Sequence, residues 1–281
     1  MHTCPPYFEG RYSDGPIAAE HLGDSLFAGG GTNANFFSYA VAGATTGVGN
    51  FGDDGTAIKP GDLLPIPVPG IFPLPGMKGE LEQYMKDSGG QADPNALYFV
   101  WGGANDYLTQ DSPVGAAQNI GGYVSELAGA GAKHILVPNL PDLGDTPSVR
   151  AVGEEAQGQA FSLSFNETLV GQLDEVSARF PETDIFRFDT YTFLNEVIAN
   201  PGDYMFADVQ NSCLALDCGN PGSFLFWDDF HPTTYAHSVI AMAFASAVPE
   251  PGIIAMFIGG LFVLGVAASR RRKVEYACGK I

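Results

Sequence analysis

Residues 94–247 predict an α/β fold on a parallel sheet, and two features of the stretch carry that expectation. Short apolar runs alternate with longer segments, and the longer segments repeat their apolar residues at steps of three and four. Strand, helix, strand, helix in this rhythm makes right-handed βαβ units, and such units build a doubly wound parallel sheet.

The elements follow in order. Ala96 to Trp101 is a short run rich in aromatics, with Asp-Pro before it and Gly-Gly after, and reads as a buried strand. Residues 114–128 place Ala116, Ala117, Ile120, Val124, Leu127 and Ala128 at helical spacing. His134 to Pro138 reads as the second strand. Phe161, Phe165, Leu169, Leu173, Val176 and Phe180 then form one face of a long amphipathic helix. Residues 184–189 give a third strand and 190–200 another helix. A last helix is expected from Pro232, a residue suited to a first helical turn, to about Ala247. Residues 41–76, rich in Gly and Pro, are either an extended segment lining a site or a surface loop packed by its own side chains.

The 281 residues carry a net charge of −19, unevenly spread. Arg270, Arg271, Arg272, Lys273 and Lys280 against Glu275 give the end of the chain +4 and leave −23 on residues 1–269. Such a body repels nucleic acid and anionic membrane surfaces, so no nucleic-acid partner is expected. The four cysteines form no metal-ligand pattern. Cys213 and Cys218 are close enough to close a small disulfide loop in an oxidising compartment, and two unpaired thiols fit the spacing nearly as well. Cys4 and Cys278 are read as unpaired.

Near the C-terminus, Gly252 to Ala268 is an uncharged apolar run of 17 residues. As a helix it would be about 25 Å long, the short limit for crossing a bilayer. The basic cluster after it would stay cytoplasmic and leave residues 1–248 outside. The ordered set Val248-Pro249-Glu250-Pro251, apolar run and Arg cluster resembles the PEP-CTERM sorting signal of bacterial exported proteins. That resemblance implies an exosortase-type sorting enzyme as partner, cleavage near the Pro-Glu-Pro, and a released or surface-attached product. Three segments follow: a catalytic-size domain over 1–247, a sorting signal over 248–273 with a transmembrane helix at 252–268, and a cytoplasmic tail over 274–281. Met1 to Gly15 shows neither the basic start nor the apolar stretch of a signal peptide.

Three motifs fall where a doubly wound sheet holds its ligands, beyond the C-terminal strand ends. Asn105, just after the first strand, can aim an amide N–H at a developing oxyanion. Gly43, lacking a side chain, lets a backbone N–H approach a ligand closely. Asp228 and His231, three apart before the last helix, can place a carboxylate and an imidazole in one turn, as a general base requires. A metal site from Asp228, Asp229, His231 and His237 is the weaker reading of the same cluster, and neither a metal nor any other cofactor is expected.

Together and in this order the motifs resemble those of the SGNH, or GDSL, esterase and lipase family. Phe37 to Gly47 is similar to its second block, Gly103-Ala104-Asn105-Asp106 to its third and Asp228 to Thr234 to its fifth, while Ile135 to Pro147 resembles a stretch of its lipase branch. The resemblance runs from about residue 5 to 246 and departs mildly at Ala42, where the family often has Gly. It implies a flavodoxin-like sheet and hydrolysis of carboxylic esters through an acyl-enzyme, with an ester or lipid substrate. His231 would be the base, Asp228 its orienter, and Gly43 and Asn105 the oxyanion donors.

The family's namesake serine is the point of departure. Gly23-Asp24-Ser25-Leu26 carries the four letters, but Ile17, Ala18, His21, Leu22 and Ser25 fall on one helical face where a β-branched strand is expected. Pro5-Pro6-Tyr7 and Gly10 to Pro16 resemble a family stretch that lies well after the nucleophile. By this register Ser25 sits on a short helix, the sheet lacks its first strand and the nucleophile lies upstream of Met1. A rival from another class is a non-catalytic surface or matrix protein that retains the fold without a working nucleophile.

Overall fold

In the computed structural model the chain is described over residues 6–26, 36–52 and 74–248. The predicted transmembrane helix at 252–268 and the sorting signal beyond Val248 lie outside the described residues, as do Cys4 and Cys278. Among the described residues no helix is long and apolar enough to cross a membrane.

The central sheet has three parallel strands, β1 (Leu97–Phe99), β2 (His134–Pro138) and β3 (Asp184–Phe188), in the order β1-β2-β3. Tyr98 pairs with Ile135, and Ile135 with Ile185. Each strand sits inside the run that the apolar pattern marks. The order runs in one direction, so the reversal that defines a doubly wound sheet is not seen among the described residues. β1 is paired on its β2 side alone among them.

Helices cover both faces. On one, α4 (Pro113–Gly129) packs against α6 (Glu155–Arg179), and Ile120, Val124, Phe165, Leu169 and Leu173 close over Ile135 and Val137 of β2. The side chain of Ser112 caps α4 by accepting from Gly115 N–H, and Pro113 opens the helix where its missing N–H costs nothing. On the other face, α8 (Thr234–Ala247) sends Phe244 between Phe99, Trp101 and Phe188, with ring centroids 5.0–5.5 Å apart. Phe244 is fully buried, and truncating it to Ala would cost about 3–5 kcal/mol.

α8 begins at Thr234, two residues later than the sequence suggests. Pro232 instead forms an antiparallel bridge with Phe226, and Thr233 Oγ1 caps the helix by accepting from Ala236 N–H. The bridge holds Pro232 in extended backbone, so the proline ends a turn rather than opening a helix.

The remaining elements are α1 (Ala18–Leu26), α2 (Met77–Asp87), α3 (Ala104–Leu108), α5 (Pro147–Val152), α7 (Thr190–Ala199), β4 (Asp208–Ser212) and β5 (Phe224–Phe226). β4 and β5 form a separate two-stranded parallel pair that the periodicity does not reveal. Asp208-Val-Gln-Asn-Ser is too polar to register as a strand, and Phe224-Leu-Phe is only three residues long. α1 packs along α8 and so brings the start of the described chain against its last helix.

Candidate active site

The site has two halves, each at the end of a strand. The first follows β5. Trp227 N–H donates to His231 O at 2.7 Å, closing a tight turn that contains Asp228. Asp228 Oδ1 accepts from the backbone N–H of Phe230 at 2.9 Å and of His231 at 2.7 Å. This local carboxylate turn fixes the Asp side chain before any tertiary contact is made. His231 Nδ1 then lies 2.9 Å from both carboxylate oxygens. With Nδ1 as the donor, Nε2 is the accepting nitrogen, and it makes no hydrogen bond to any described residue.

Burial divides the pair. Asp228 is 8% exposed, whereas the His231 side chain is 41% exposed, so the imidazole faces outward from an enclosed carboxylate. Burial pushes the Asp228 carboxyl up, but the His231 hydrogen bond and charge outweigh it and hold the group below the usual range. The acid therefore stays ionised, as an orienting carboxylate must.

A disulfide joins Cys213 and Cys218 beside this turn. Cys213 N–H donates to Phe226 O at 3.1 Å and Leu214 N–H to Trp227 O at 2.9 Å, so the small loop is stitched to the two residues preceding Asp228.

The second half joins the loop 41–52 to the end of β1. Gly43 has φ +83°, the left-handed region, and a Cβ there would lie 2.4 Å from Asn50 Oδ1. Its carbonyl accepts from Phe51 N–H, while its own N–H makes no hydrogen bond to a described residue. Asn105, in the first turn of α3, donates from Nδ2 to Ala44 O at 2.9 Å, which leaves its second amide hydrogen available. Gly103, at φ +117°, lets this segment turn where a Cβ would meet the Phe165 ring at 2.6 Å.

Buried polar groups hold the loop in shape. Asn50 Nδ2 donates to Ala42 O and Pro75 O, and its Oδ1 accepts from Gly52 N–H. Asp106 accepts from Thr46 N–H at 2.8 Å and Thr46 Oγ1 at 2.6 Å, and Tyr123 donates to Thr46 O. Burial raises the Asp106 carboxyl to about 6, against the opposing pull of the Thr46 bonds. The first N–H groups of α2 donate to Thr45 O and Gly47 O, so the helix end and the loop satisfy each other. Asp106 and Thr46 both lie inside the motifs the sequence singles out, next to residues given roles. Nothing in one sequence separates a buried partner from a reacting group, so the sequence gives no sign of their part.

Asp228 and His231 are thus brought together directly, and Gly43 and Asn105 are brought together through Ala44. The two halves share no hydrogen bond among the described residues. Ser25 joins neither half. It lies on α1, exposed, and its hydroxyl donates to Leu22 O at 2.8 Å. Two residues from the family-like stretches Pro5-Pro6-Tyr7 and Gly10 to Pro16, given no role by the sequence, reach the dyad. The Tyr7 hydroxyl donates to Asp228 Oδ2 at 3.1 Å, and the Tyr12 ring lies 5.0 Å from that of His231. Among the described residues no group of His, Cys, Asp and Glu is arranged to hold a metal ion.

Fold and site together define an α/β protein with an acid–base pair and a loop of hydrogen-bond donors at the ends of parallel strands. The chain belongs to the GDSL-like lipase/acylhydrolase family, whose model matches residues 5–244. Among curated proteins it is similar to a GDSL esterase/lipase of Arabidopsis thaliana, 26% identical over 196 residues that make up 56% of this chain and 55% of the relative. It is also similar to a phosphatidylcholine-sterol acyltransferase of Aeromonas hydrophila, 24% identical over 296 aligned positions covering 86% of this chain and 81% of the relative. An uncharacterized protein of the trpE-trpG intergenic region of Pseudomonas putida is 31% identical over 175 residues, 55% of this chain and 29% of that protein. The chain spans about half the length, or less, of the first curated relatives it matches.

Proposed function

We propose that this protein hydrolyses carboxylic esters through an acyl-enzyme. His231 is the general base, Asp228 its orienter, and the Gly43 N–H and Asn105 side chain stabilise the oxyanion. The observation that carries the reading is the His231 imidazole, bonded on Nδ1 to a buried, ionised carboxylate and facing outward on Nε2. A base in this state takes a proton from a hydroxyl and returns it to the leaving alcohol.

The attacking hydroxyl is not Ser25, whose helical setting gives it neither a strand end nor a bond to His231. We assign the nucleophile to a serine encoded upstream of residue 1, at the end of a strand laid along β1. The unpaired side of β1 among the described residues, and its direct continuation into Asn105, support that placement. The similarity to an acyltransferase favours one variation on the same chemistry, in which an alcohol rather than water receives the acyl group. The PEP-CTERM-like ending supports export, with the domain held at the membrane through 252–268 until an exosortase-type enzyme cuts near Pro249.

The test is hydrolysis of p-nitrophenyl esters by protein expressed from the whole reading frame. Hydrolysis that His231→Ala abolishes, with the circular dichroism spectrum unchanged, supports the reading. No hydrolysis by the parent protein favours a surface protein that keeps the fold without the reaction.

A further inference from the structure

We propose that Tyr7 is a positioning residue that sets how strongly Asp228 holds the proton of His231. The proposal rests on the assignment of His231 as general base. Its starting point is geometric: Asp228 Oδ2 accepts from the Tyr7 hydroxyl at 3.1 Å, across 221 positions of sequence.

Tyr7 is fastened in place. Phe8 N–H donates to Ser13 O and Arg11 N–H to Phe8 O, folding residues 8–13 into a compact turn. That turn is tied to the start of α8 three times. Ser13 Oγ donates to Pro232 O at 3.0 Å, Thr234 N–H to Asp14 Oδ1 at 2.7 Å, and Thr234 Oγ1 to Pro16 O at 2.8 Å. Behind it, Arg11 holds Glu20 of α1 in a two-pronged ion pair. The Tyr7 and Tyr12 rings lie 5.3 Å apart, with Tyr12 against His231. The same segment therefore touches both members of the dyad.

A third donor on a carboxylate withdraws charge from the oxygens that receive the imidazole N–H. The other two donors, the amides of Phe230 and His231, are fixed by the turn itself. Removing the Tyr7 hydroxyl thus leaves Asp228 where it is and makes it a stronger acceptor. The imidazolium then persists to higher pH than in the parent protein. The phenol remains a donor throughout, because burial and the Asp228 charge push its own ionisation up to about 12. The other titratable groups facing the dyad are Tyr12 and Asp229, with His237 on α8 beneath and His21 and Glu20 on α1 behind it. Burial keeps His237 uncharged, its ionisation pushed down to about 3.

The test follows the ring resonances of His231 by NMR across pH in the 281-residue chain. Tyr7→Phe is expected to move the pH midpoint of these signals upward by about half a unit to one unit. Fluorotyrosine at position 7, a stronger donor of nearly the same shape, should move it downward. Ser13→Ala removes one of the three ties and leaves the phenol and the other two in place, so the midpoint should not move. An unchanged midpoint in Tyr7→Phe overturns the proposal, and the fluorotyrosine protein decides in the same way if the Phe variant does not fold. Because the readout needs no turnover, a moved midpoint in a protein without ester hydrolysis would sustain the proton-tuning role while removing the esterase reading. In active protein the acid limb of kcat/KM should rise in step, with KM unchanged.

Discussion

Asp228 Oδ1 accepts from His231 twice, from its backbone N–H at 2.7 Å and from its ring Nδ1 at 2.9 Å. One oxygen thereby fixes both the backbone that carries the imidazole and the ring itself. The backbone bonds hold the carboxylate where the ring Nδ1 can reach it.

Replacing Asp228 by Asn should leave this turn largely formed, since an amide oxygen still accepts from Phe230 and His231. The ring, however, loses its ionised partner, and the tautomer with Nε2 as acceptor is no longer enforced. Turnover should fall by several orders of magnitude, roughly 10⁴-fold by analogy with serine-protease triads, with little change in KM. Steady-state kinetics on a soluble ester check this.

Asn105→Ala removes one oxyanion donor and the tie to Ala44 O. The expected loss is about 2.7–4 kcal/mol of transition-state stabilisation, read as a drop in kcat of about 10²–10³-fold. Comparing kcat with KM separates this from weaker substrate binding, which would raise KM instead.

The contact between the Gly43 loop and α3, which carries Asn105, should give a pH signature through Asp106. Its carboxyl is raised from 3.8 to about 6 by burial, so the folded protein binds this proton more tightly than the unfolded chain does. The sign follows: the group's contribution to stability is full below about pH 4 and is lost as pH rises through about 6. Urea unfolding of wild type and Asp106→Asn at pH 4 and pH 7 checks it. The stability of the wild type relative to the variant should fall on the order of 2–3 kcal/mol across that window.

The Cys213–Cys218 bond closes a short loop against the residues before Asp228. Reduction should lower stability by about 2 kcal/mol through loop entropy alone. Differential scanning with and without reductant, on protein whose thiols are first counted by mass spectrometry, measures it.

The reach of the sequence into this structure follows from which signals are local. Periodicity marks α4 and α6 because each buries an apolar stripe, Ile120, Val124 and Leu127 with alanines in α4 and Phe161 to Val176 in α6, and β2 because three consecutive residues are fully covered. β4 is missed because Gln210 and Asn211 face solvent and only Val209 and Ser212 are buried. The Asp228–His231 pair is visible in the sequence because its geometry is made within one turn. Ser25 reads as helical for the same reason, since the spacing of Ala18 and Leu22 that packs α1 on α8 is written in neighbouring residues. The long-range partners, Tyr7 on Asp228 and Thr46 on Asp106, are separated by 221 and 60 positions, and no local pattern encodes them.

The most direct test of the esterase account is fluorophosphonate labelling of protein from the whole reading frame, with the labelled peptide identified by mass spectrometry. Such probes react with a serine whose hydroxyl is activated by a neighbouring base. The account predicts one labelled serine upstream of residue 1, with labelling lost in His231→Ala and unaffected by Ser25→Ala. Labelling of Ser25, or labelling that survives removal of His231, would contradict it.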